Sequence, residues 1–257
     1  MTRMMVIPAA GTGSRLGGAL PKVLVPVGGR PMLDHLLSLY AAAVTRFVVV
    51  VSPAARGLVD RFLSSRQETV EVVLQAQPTG MLDAVLAASD FVRKHQPDRI
   101  WITWCDQVAV HRRTVANLIG AESAPFEPDL ALPTLWGTSP YIHFSRDAEG
   151  RIVDVLQRRE GDAMPSIGES DAGLFSLSRA AYLRDLQAYA AIPQESGLTR
   201  ERNFLPFIPW LGAIRHVVTF PCVDPIEAVG INTPEELRCV EDYLRAAGAG
   251  GCEPDPK

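Results

Sequence analysis

Residues 8–22 read Pro-Ala-Ala-Gly-Thr-Gly-Ser-Arg-Leu-Gly-Gly-Ala-Leu-Pro-Lys, and they directly follow the apolar run of residues 4–7. Most of these side chains are small, so the backbone can approach a phosphate chain closely. Because glycine tolerates positive φ, successive N–H groups can turn inward and form an anion-binding concavity. Arg15 and Lys22 add positive charge beside it. The stretch therefore predicts a phosphate-binding loop at the end of a β-strand.

Two common glycine-rich phosphate loops do not match this stretch. The dinucleotide-binding pattern needs a third glycine three residues after the second, and Leu16 occupies that position. The P-loop pattern needs Gly-Lys-Ser/Thr, whereas the chain has Gly18 and Ala19 at that place. The sequence therefore predicts neither a dinucleotide cofactor nor a P-loop nucleotide site.

The loop resembles the signature of the sugar-phosphate nucleotidyltransferases, which is Ala-Ala-Gly-x-Gly-Ser/Thr-Arg followed after a short spacer by Pro-Lys. A plain turn between a strand and a helix would account for the two glycines alone, but not for the other matching positions. The resemblance, to UDP-N-acetylglucosamine and other NDP-sugar pyrophosphorylases, covers residues 4–245 and is most specific at 8–22. It implies catalytic roles for Arg15 and Lys22. It also implies nucleotide contacts from Ala9, Ala10, Gly11, Thr12, Gly13 and Ser14.

Composition excludes several classes of partner and cofactor. The 257 residues include 25 Lys and Arg against 29 Asp and Glu, so no basic surface for nucleic acid is expected. No apolar run is long enough to span a membrane, and no signal peptide is expected. The four cysteines show no zinc or redox spacing and are expected to be free thiols in a reducing compartment. We therefore expect a soluble, cytoplasmic protein that binds small molecules, and a homo-oligomer is left open.

The first half of the chain has the rhythm of a doubly wound α/β fold. Strands are predicted at 3–8, 46–51, 70–75, 99–104 and 129–133, with helices at 31–43, 54–64, 80–94 and 111–120. The apolar runs 47–51 and 100–104 are continuous rather than alternating, which is typical of parallel strands covered on both faces. We therefore predict a mostly parallel, Rossmann-like sheet with ligands at the carboxyl ends of its strands.

The second half changes character and predicts a smaller α+β lid that binds the acceptor. A hairpin is predicted from 141–144 and 151–157, helices at 178–190, 199–205 and 234–246, and a strand at 214–221. The prediction is one nucleotidyltransferase domain, 1–247, with a nucleotide-binding half (about 1–135) and an acceptor-binding half (about 136–247). Residues 248–257 lack a packing pattern and are predicted to form a disordered tail.

Two residues are candidates for binding Mg²⁺. Asp106 follows the strand 99–104, where a carboxylate can bind a hard cation, although an acid there is also typical of a turn or a helix cap. The resemblance implies a metal-binding Asp at this position, with Cys105 in place of the usual Gly. It implies a second ligand at Asn232, for which capping of the next helix is the alternative.

The resemblance also assigns residues to the nucleobase and to the acceptor. Gln75 or Gln77, together with Gly80, would contact the base, and their departure from the family pattern leaves the base open. The acceptor would be bound by Arg158, Arg159 and Glu160 and by the segment that contains Glu169 and Asp171. Asp171 stands where the family has a sugar-binding Asn. A solvated charge cluster is the alternative for residues 158–160.

The implied reaction is transfer of a nucleotidyl group from a nucleoside triphosphate to a sugar 1-phosphate, with release of pyrophosphate. Alternatives are an enzyme of the same kind whose acceptor is a non-sugar phosphate, a phosphonate or a molybdopterin, and a non-catalytic nucleotide-sugar sensor. A glycosyltransferase on a similar fold would need an Asp-x-Asp motif, and the sequence lacks one.

Overall fold

A large, mostly parallel sheet forms the centre of the computed structural model, which describes residues 1–11, 16, 20–123, 126–192 and 198–249. The strands are β1 (Arg3–Ala9), β2 (Pro26–Val27), β3 (Arg30–Pro31), β4 (Arg46–Val51), β5 (Val70–Leu74), β6 (Arg99–Thr103), β7 (Leu130–Thr138), β8 (Ile142–Arg146), β9 (Ile152–Gln157), β10 (Ile167–Asp171), β11 (Leu174–Ser178) and β12 (Val217–Pro221). The central sheet has the order β10-β7-β11-β6-β1-β4-β5, and β12 also pairs with β7. Strands β6, β1, β4 and β5 are parallel, whereas β10 and β11 run antiparallel to their neighbours.

Helices cover both faces of this sheet. They are α1 (Met32–Tyr40), α2 (Pro53–Leu63), α3 (Met81–Leu86), α4 (Ser89–His95), α5 (Arg112–Glu122), α6 (Leu186–Ala190, entered through a π-helical turn at Ala181–Asp185), α7 (Phe207–Gly212) and α8 (Pro234–Ala249). Alternate residues of β4 enter different hydrophobic cores, since Val48 and Val50 belong to one and Val49 and Val51 to the other. Burial on both faces explains the continuous apolar run, and the doubly wound α/β fold is confirmed. Within the described ranges, no helix is long and apolar enough to cross a membrane.

The structure corrects the helix predicted at 199–205. Its backbone instead pairs with the loop before α3: Arg202 N donates to Thr79 O (2.8 Å) and Leu82 N donates to Arg202 O (2.9 Å). These bonds engage groups that a helix would use internally, and the helix forms afterwards, as α7. The hairpin predicted from 141–144 and 151–157 is confirmed as β8 and β9.

Two further predictions need smaller corrections. The single helix predicted at 80–94 is divided into α3 and α4, with Ser89 Oγ donating to Leu86 O at the break (2.5 Å). Residues 248 and 249, predicted to be a disordered tail, belong to α8, while 250–257 lie outside the described residues. The division into a nucleotide-binding and an acceptor-binding half stays a prediction.

A buried carboxylate links α5 to the sheet. Glu122 is fully buried and accepts hydrogen bonds from Trp101 Nε1 and Ser176 Oγ, both at 2.5 Å. Its other oxygen pairs with Arg3 Nε at 2.7 Å, and Arg99 lies 3.6 Å away. A buried charge is tolerated only with such partners, so removing one side leaves the other uncompensated.

We expect Glu122→Ala to lower the free energy of unfolding by about 3–5 kcal/mol, because it leaves Arg3 and Arg99 without a buried counter-charge. Urea denaturation measures the change. Asp90→Ala, at an exposed acid on α4, is the control and should shift the same quantity by less than about 0.5 kcal/mol. Equal losses in the two variants would contradict a stabilising role for the Glu122 network.

Candidate active site

Lys22, one of the two predicted catalytic residues, lies at the start of a short 3₁₀ turn that follows β1. Ala9 and Ala10 are buried at the end of β1, whereas Gly11 is exposed. Residues 12–15, which include the predicted nucleotide ligands Thr12, Gly13 and Ser14 and the predicted catalytic Arg15, lie outside the described residues. Lys22 opens the turn Lys22–Leu24, whose next two side chains are buried in the core. This burial fixes the backbone from which the Lys22 side chain extends.

Lys22 joins the two predicted metal ligands. Its Nζ donates to Asp106 Oδ2 at 2.5 Å and to Asn232 Oδ1 at 2.7 Å. The side chains of Lys22 and Asp106 are only 13% and 15% exposed. Three residues that are far apart in the sequence therefore meet at one point beside the carboxyl ends of β1 and β6, where α/β sheets bind ligands.

The segment before α8 is built so that the Asn232 side chain remains available. The cap of α8 is formed by Thr233 and Glu236: Glu236 N donates to Thr233 Oγ1 (3.2 Å), and Glu236 Oε2 accepts from Thr233 N (2.8 Å) and Asn232 N (2.7 Å). Asn232 Nδ2 donates to Gly230 O (3.1 Å), which leaves Oδ1 facing Lys22. Thr233, and not Asn232, therefore caps the start of α8 with its side chain.

Gly230 and Asp106 lie in direct contact. Ile231 N donates to Asp106 O at 3.2 Å, which ties the two segments together. A Cβ on residue 230 would lie 3.3 Å from Asp106 Oδ2 and 3.4 Å from Asn232 Nδ2. Glycine therefore allows the two oxygen-bearing side chains to approach each other without displacement.

Cys105 fills the position that the resemblance gives to glycine. Burial raises the pKa of its thiol to about 12, and the negative charge of Asp106 adds to that shift. The thiol therefore stays protonated at neutral pH and behaves as a small apolar side chain.

The predicted base-recognition segment folds back on itself. Gln75 Nε2 donates to Gly80 O at 3.0 Å. Gly80 has φ of +125°, and a Cβ there would lie 2.4 Å from the backbone nitrogen and oxygen of Arg202. Only glycine fits this crossing, so the match at Gly80 has a packing reason as well as its predicted contact with the base. Gln77 lies in the same loop and is exposed.

The predicted acceptor residues 158–160 make internal contacts in this structure. Arg158 donates to Ser139 Oγ (2.9 Å) and to the backbone oxygens of residues 139 and 140, and Arg159 pairs with Glu201 (2.7 Å). Glu160 accepts from Thr199 Oγ1 (2.6 Å) and from the Asn203 amide (2.9 Å). Arg159 and Glu160 therefore hold the 199–203 segment, whereas Arg158 holds residues 139 and 140. The predicted contacts of all three with an acceptor stay predictions.

Glu169 and Asp171 lie on the same strand in opposite electrostatic surroundings. Arg146 donates to both carboxylate oxygens of Glu169 at 2.6 Å. Burial raises the pKa of Glu169, but hydrogen bonds from Arg146 and Thr134, together with the positive charge of Arg146, outweigh it and hold that pKa below its usual value. Asp171 accepts from Gly173 N at 2.7 Å, and burial, with a smaller effect from Asp106, raises its pKa to about 6.

Comparison with known proteins assigns the family. The model of the MobA-like NTP transferase domain matches residues 5–189, which is more than half of the chain. The chain belongs to this family. The resemblance to sugar-phosphate nucleotidyltransferases is thereby confirmed, and the fold is that of a nucleotidyltransferase domain.

Curated relatives and solved structures agree with this assignment. The bifunctional GlmU protein of Thermus thermophilus is 31% identical over 93% of this chain, and that of Pelotomaculum thermopropionicum is 29% identical over 93%. The chain spans about half the length of these relatives, 51% in each case. HddC from Yersinia pseudotuberculosis has a TM-score of 0.67 at 18% identity, covering 94% of this chain and 99% of that one. A Bacillus anthracis protein, provisionally assigned as a glucose-1-phosphate thymidylyltransferase, reaches 0.73 at 17% identity, covering 95% and 96%. Both solved structures share the fold of this chain.

Sequence reasoning missed two arginines that lie beside predicted site residues. Arg146 neutralises Glu169 and also donates to Thr219 (2.9 Å), and Arg202 pairs with Asp83 (2.5 Å) beside the predicted base segment. Both arginines lie in stretches without a recognisable motif, and their partners are distant in sequence. No local pattern could have identified these pairs.

Asp171→Asn should change the pH dependence of stability. Because the folded-state pKa of about 6 lies above the ordinary value of 3.8, the native protein binds extra protons between these values, and stability falls as the pH rises through this window. The Asn side chain keeps an oxygen that accepts from Gly173 N, and it cannot ionise, so it removes the cost of burying the carboxylate charge. We expect it to be more stable than the wild type by about 3 kcal/mol at pH 7.5, with the difference vanishing below about pH 4. Urea denaturation of both proteins, in the presence of EDTA and between these two pH values, measures the difference in stability. A difference that is constant with pH would contradict the raised pKa.

Proposed function

We propose that this chain transfers a nucleoside monophosphate from a nucleoside triphosphate to a sugar 1-phosphate and releases pyrophosphate. The observation that carries the proposal is the convergence of Lys22, Asp106 and Asn232 on one point at the carboxyl edge of the sheet. The proposal is also supported by membership of the MobA-like NTP transferase family and by the glycine-rich loop sequence at residues 8–22, which suits phosphate binding.

The chemistry requires positioning and charge compensation rather than a general base. An oxygen of the acceptor phosphate attacks the α-phosphorus, and the bond from that phosphorus to the bridging oxygen of the β-phosphate breaks. The electron pair leaves with pyrophosphate. Because the acceptor phosphate is already ionised at neutral pH, no side chain needs to remove a proton. The protein's main task is to bring two anions together in line.

Lys22 supplies a positive charge where these anions would meet. Its ammonium is held by two oxygens and is largely screened from water, so its attraction for a phosphate is stronger than that of a surface lysine. An ammonium with three donors can keep a protein contact while it donates to a phosphate oxygen. Arg15, in the loop before it, is proposed to compensate charge on the leaving pyrophosphate.

The side chains of Asp106 and Asn232 fit a magnesium ion. Both offer hard oxygen ligands, and both oxygens face the same cationic group, Nζ of Lys22. Mg²⁺ prefers one or two protein oxygens supplemented by water and substrate phosphates. Among the residues described here, no group of three or more His, Cys, Asp or Glu side chains could hold a metal. When bound, Mg²⁺ would neutralise phosphate charge. Asp106 and Asn232 would hold it.

The proposal also specifies the acceptor, a sugar 1-phosphate. The resemblance to NDP-sugar pyrophosphorylases supports a sugar 1-phosphate as the acceptor. So does the provisional assignment of the Bacillus anthracis structural neighbour as a glucose-1-phosphate thymidylyltransferase. Asp171 accepts hydrogen bonds when ionised, which suits sugar hydroxyls or an amino group. Non-sugar phosphates, phosphonates and a molybdopterin are the competing acceptors.

A matrix of substrates tests this proposal. We expect pyrophosphate release from at least one nucleoside triphosphate together with one sugar 1-phosphate, dependent on Mg²⁺. Turnover restricted to a non-sugar acceptor would retain the enzyme class and overturn the sugar. Tight binding of a nucleotide sugar without turnover of any pair would instead support a non-catalytic sensor.

Lys22→Ala should lower pyrophosphate release about 10²–10³-fold, the effect of losing one preorganised charged donor. The matched control is Lys94→Ala. Lys94 is an exposed lysine on α4, which precedes the amino end of β6, whereas Asp106 follows the carboxyl end of that strand; the variant should turn over like the wild type. Circular dichroism of both variants checks the fold. Near-normal turnover by folded Lys22→Ala would contradict the role given to this lysine.

A further inference from the structure

Glu227 is a second fully buried glutamate, and it lies close to the candidate active site. It belongs to the 3₁₀ turn Pro225–Ala228, between β12 and the Gly230–Asn232 segment. Its Oε1 accepts from Val223 N and from Asp224 N, both at 2.8 Å. Its Oε2 accepts from His111 N at 2.9 Å. One carboxylate therefore satisfies three backbone donors from two distant segments.

His111 and Glu227 belong to the two loops that carry the proposed metal ligands. His111 N follows Asp106 by five residues, and Glu227 itself precedes Asn232 by five residues. The carboxylate of Glu227 thus joins the loop after β6 to the loop before α8. The same two loops also share a backbone–backbone hydrogen bond, from Ile231 N to Asp106 O, which is longer, at 3.2 Å.

Gln107 reinforces the same connection from the other side. It is buried beside Asp106. Its amide nitrogen is assigned toward the carbonyls of the facing loop, because the reverse assignment sets the amide oxygen against other acceptors; in this assignment the nitrogen donates to Glu227 O (3.2 Å) and Val229 O (3.1 Å). These bonds satisfy carbonyl groups on the stretch that leads to Asn232. Side chain and backbone of Glu227 are therefore both held by the loop that carries Asp106.

We propose that Glu227 is a positioning residue that fixes Asp106 and Asn232 at the separation needed to share one cation. This inference rests on the proposed metal role of these two residues. Glu227 contacts neither Lys22 nor the two ligands in its hydrogen bonds, and it acts through the backbone that carries them. Outer partners of this kind influence metal affinity strongly because they set ligand orientation.

Glu227→Gln is the gentlest test, because it keeps the shape of the side chain. The amide has one oxygen, so it cannot accept from both His111 and the Val223–Asp224 pair, and its NH₂ group would face a backbone donor. Glu122→Gln is the matched control: Glu122 is equally buried and hydrogen-bonded, but it lies in the network that joins α5 to the sheet. Gln107→Leu is a second variant, which weakens the same connection without touching the carboxylate.

Two measurements are made on the full chain. Amide hydrogen exchange reports whether peptides that cover 105–111 and 228–233 open, and titration with Mn²⁺, followed by electron paramagnetic resonance, reports metal affinity without turnover. We expect Glu227→Gln to exchange faster in both peptides and to bind Mn²⁺ about 10–100-fold more weakly. Gln107→Leu should change both in the same direction. Glu122→Gln should be destabilised, with wild-type affinity for Mn²⁺.

The outcomes separate this inference from the proposed function. Wild-type exchange in both peptides of Glu227→Gln would overturn the positioning role, and so would faster exchange with unchanged Mn²⁺ affinity. An equal loss of Mn²⁺ affinity in Glu122→Gln would also overturn it, since the effect would then follow from destabilisation alone. Failure of the wild type to bind Mn²⁺ would overturn the metal site, while exchange would still decide whether Glu227 holds the two loops.

Discussion

The contact of the Lys22 ammonium with Asp106 and Asn232 is the constraint on which the site depends. A lysine and an aspartate that are largely removed from water need each other, because an uncompensated charge there would be costly. The fold satisfies this requirement by bringing together the loop after β1, the loop after β6 and the segment before α8. Any change that separates these loops acts on the charge balance of the site.

The rest of the structure holds those three loops in place. The doubly wound sheet places the ends of β1 and β6 side by side, because these strands are parallel neighbours. The cap formed by Thr233 and Glu236 fixes the start of α8, and the backbone bonds accepted by Glu227 fix the chain before it. Other contacts attach the 199–203 segment to the rest of the chain, since the Arg202 backbone pairs with the loop at 79–82 and Glu160 accepts from Thr199.

Lys22, Asp106 and Asn232 were identified through the family resemblance, and their catalytic and metal-binding roles stay predictions. The sequence predicted the parallel strands β1, β4, β5 and β6, because their apolar runs are local, but not β10 and β11, which belong to the same sheet. It was insufficient wherever a long-range contact decided the outcome. Residues 199–205 have a composition that suits a helix, but the pairing of Arg202 with the loop at 79–82 prevails. The partners of Arg158 and Glu160, and the burial that raises the pKa of Asp171, depend on segments that no short pattern connects. Glu227 ends an Asp-x-x-Glu capping box that begins at Asp224, which is a local pattern, but its full burial and its bond from His111 N depend on a distant segment.

The central claim is that Lys22 and Asp106 act as one unit, and a double-mutant cycle tests it most directly. The specificity constant for pyrophosphate release is measured for Lys22→Ala, Asp106→Asn and the double variant. If the two side chains depend on each other, the double variant should be within about threefold of the slower single variant, because residues that act together lose their effect together. Losses that multiply, as for independent sites, would contradict the account.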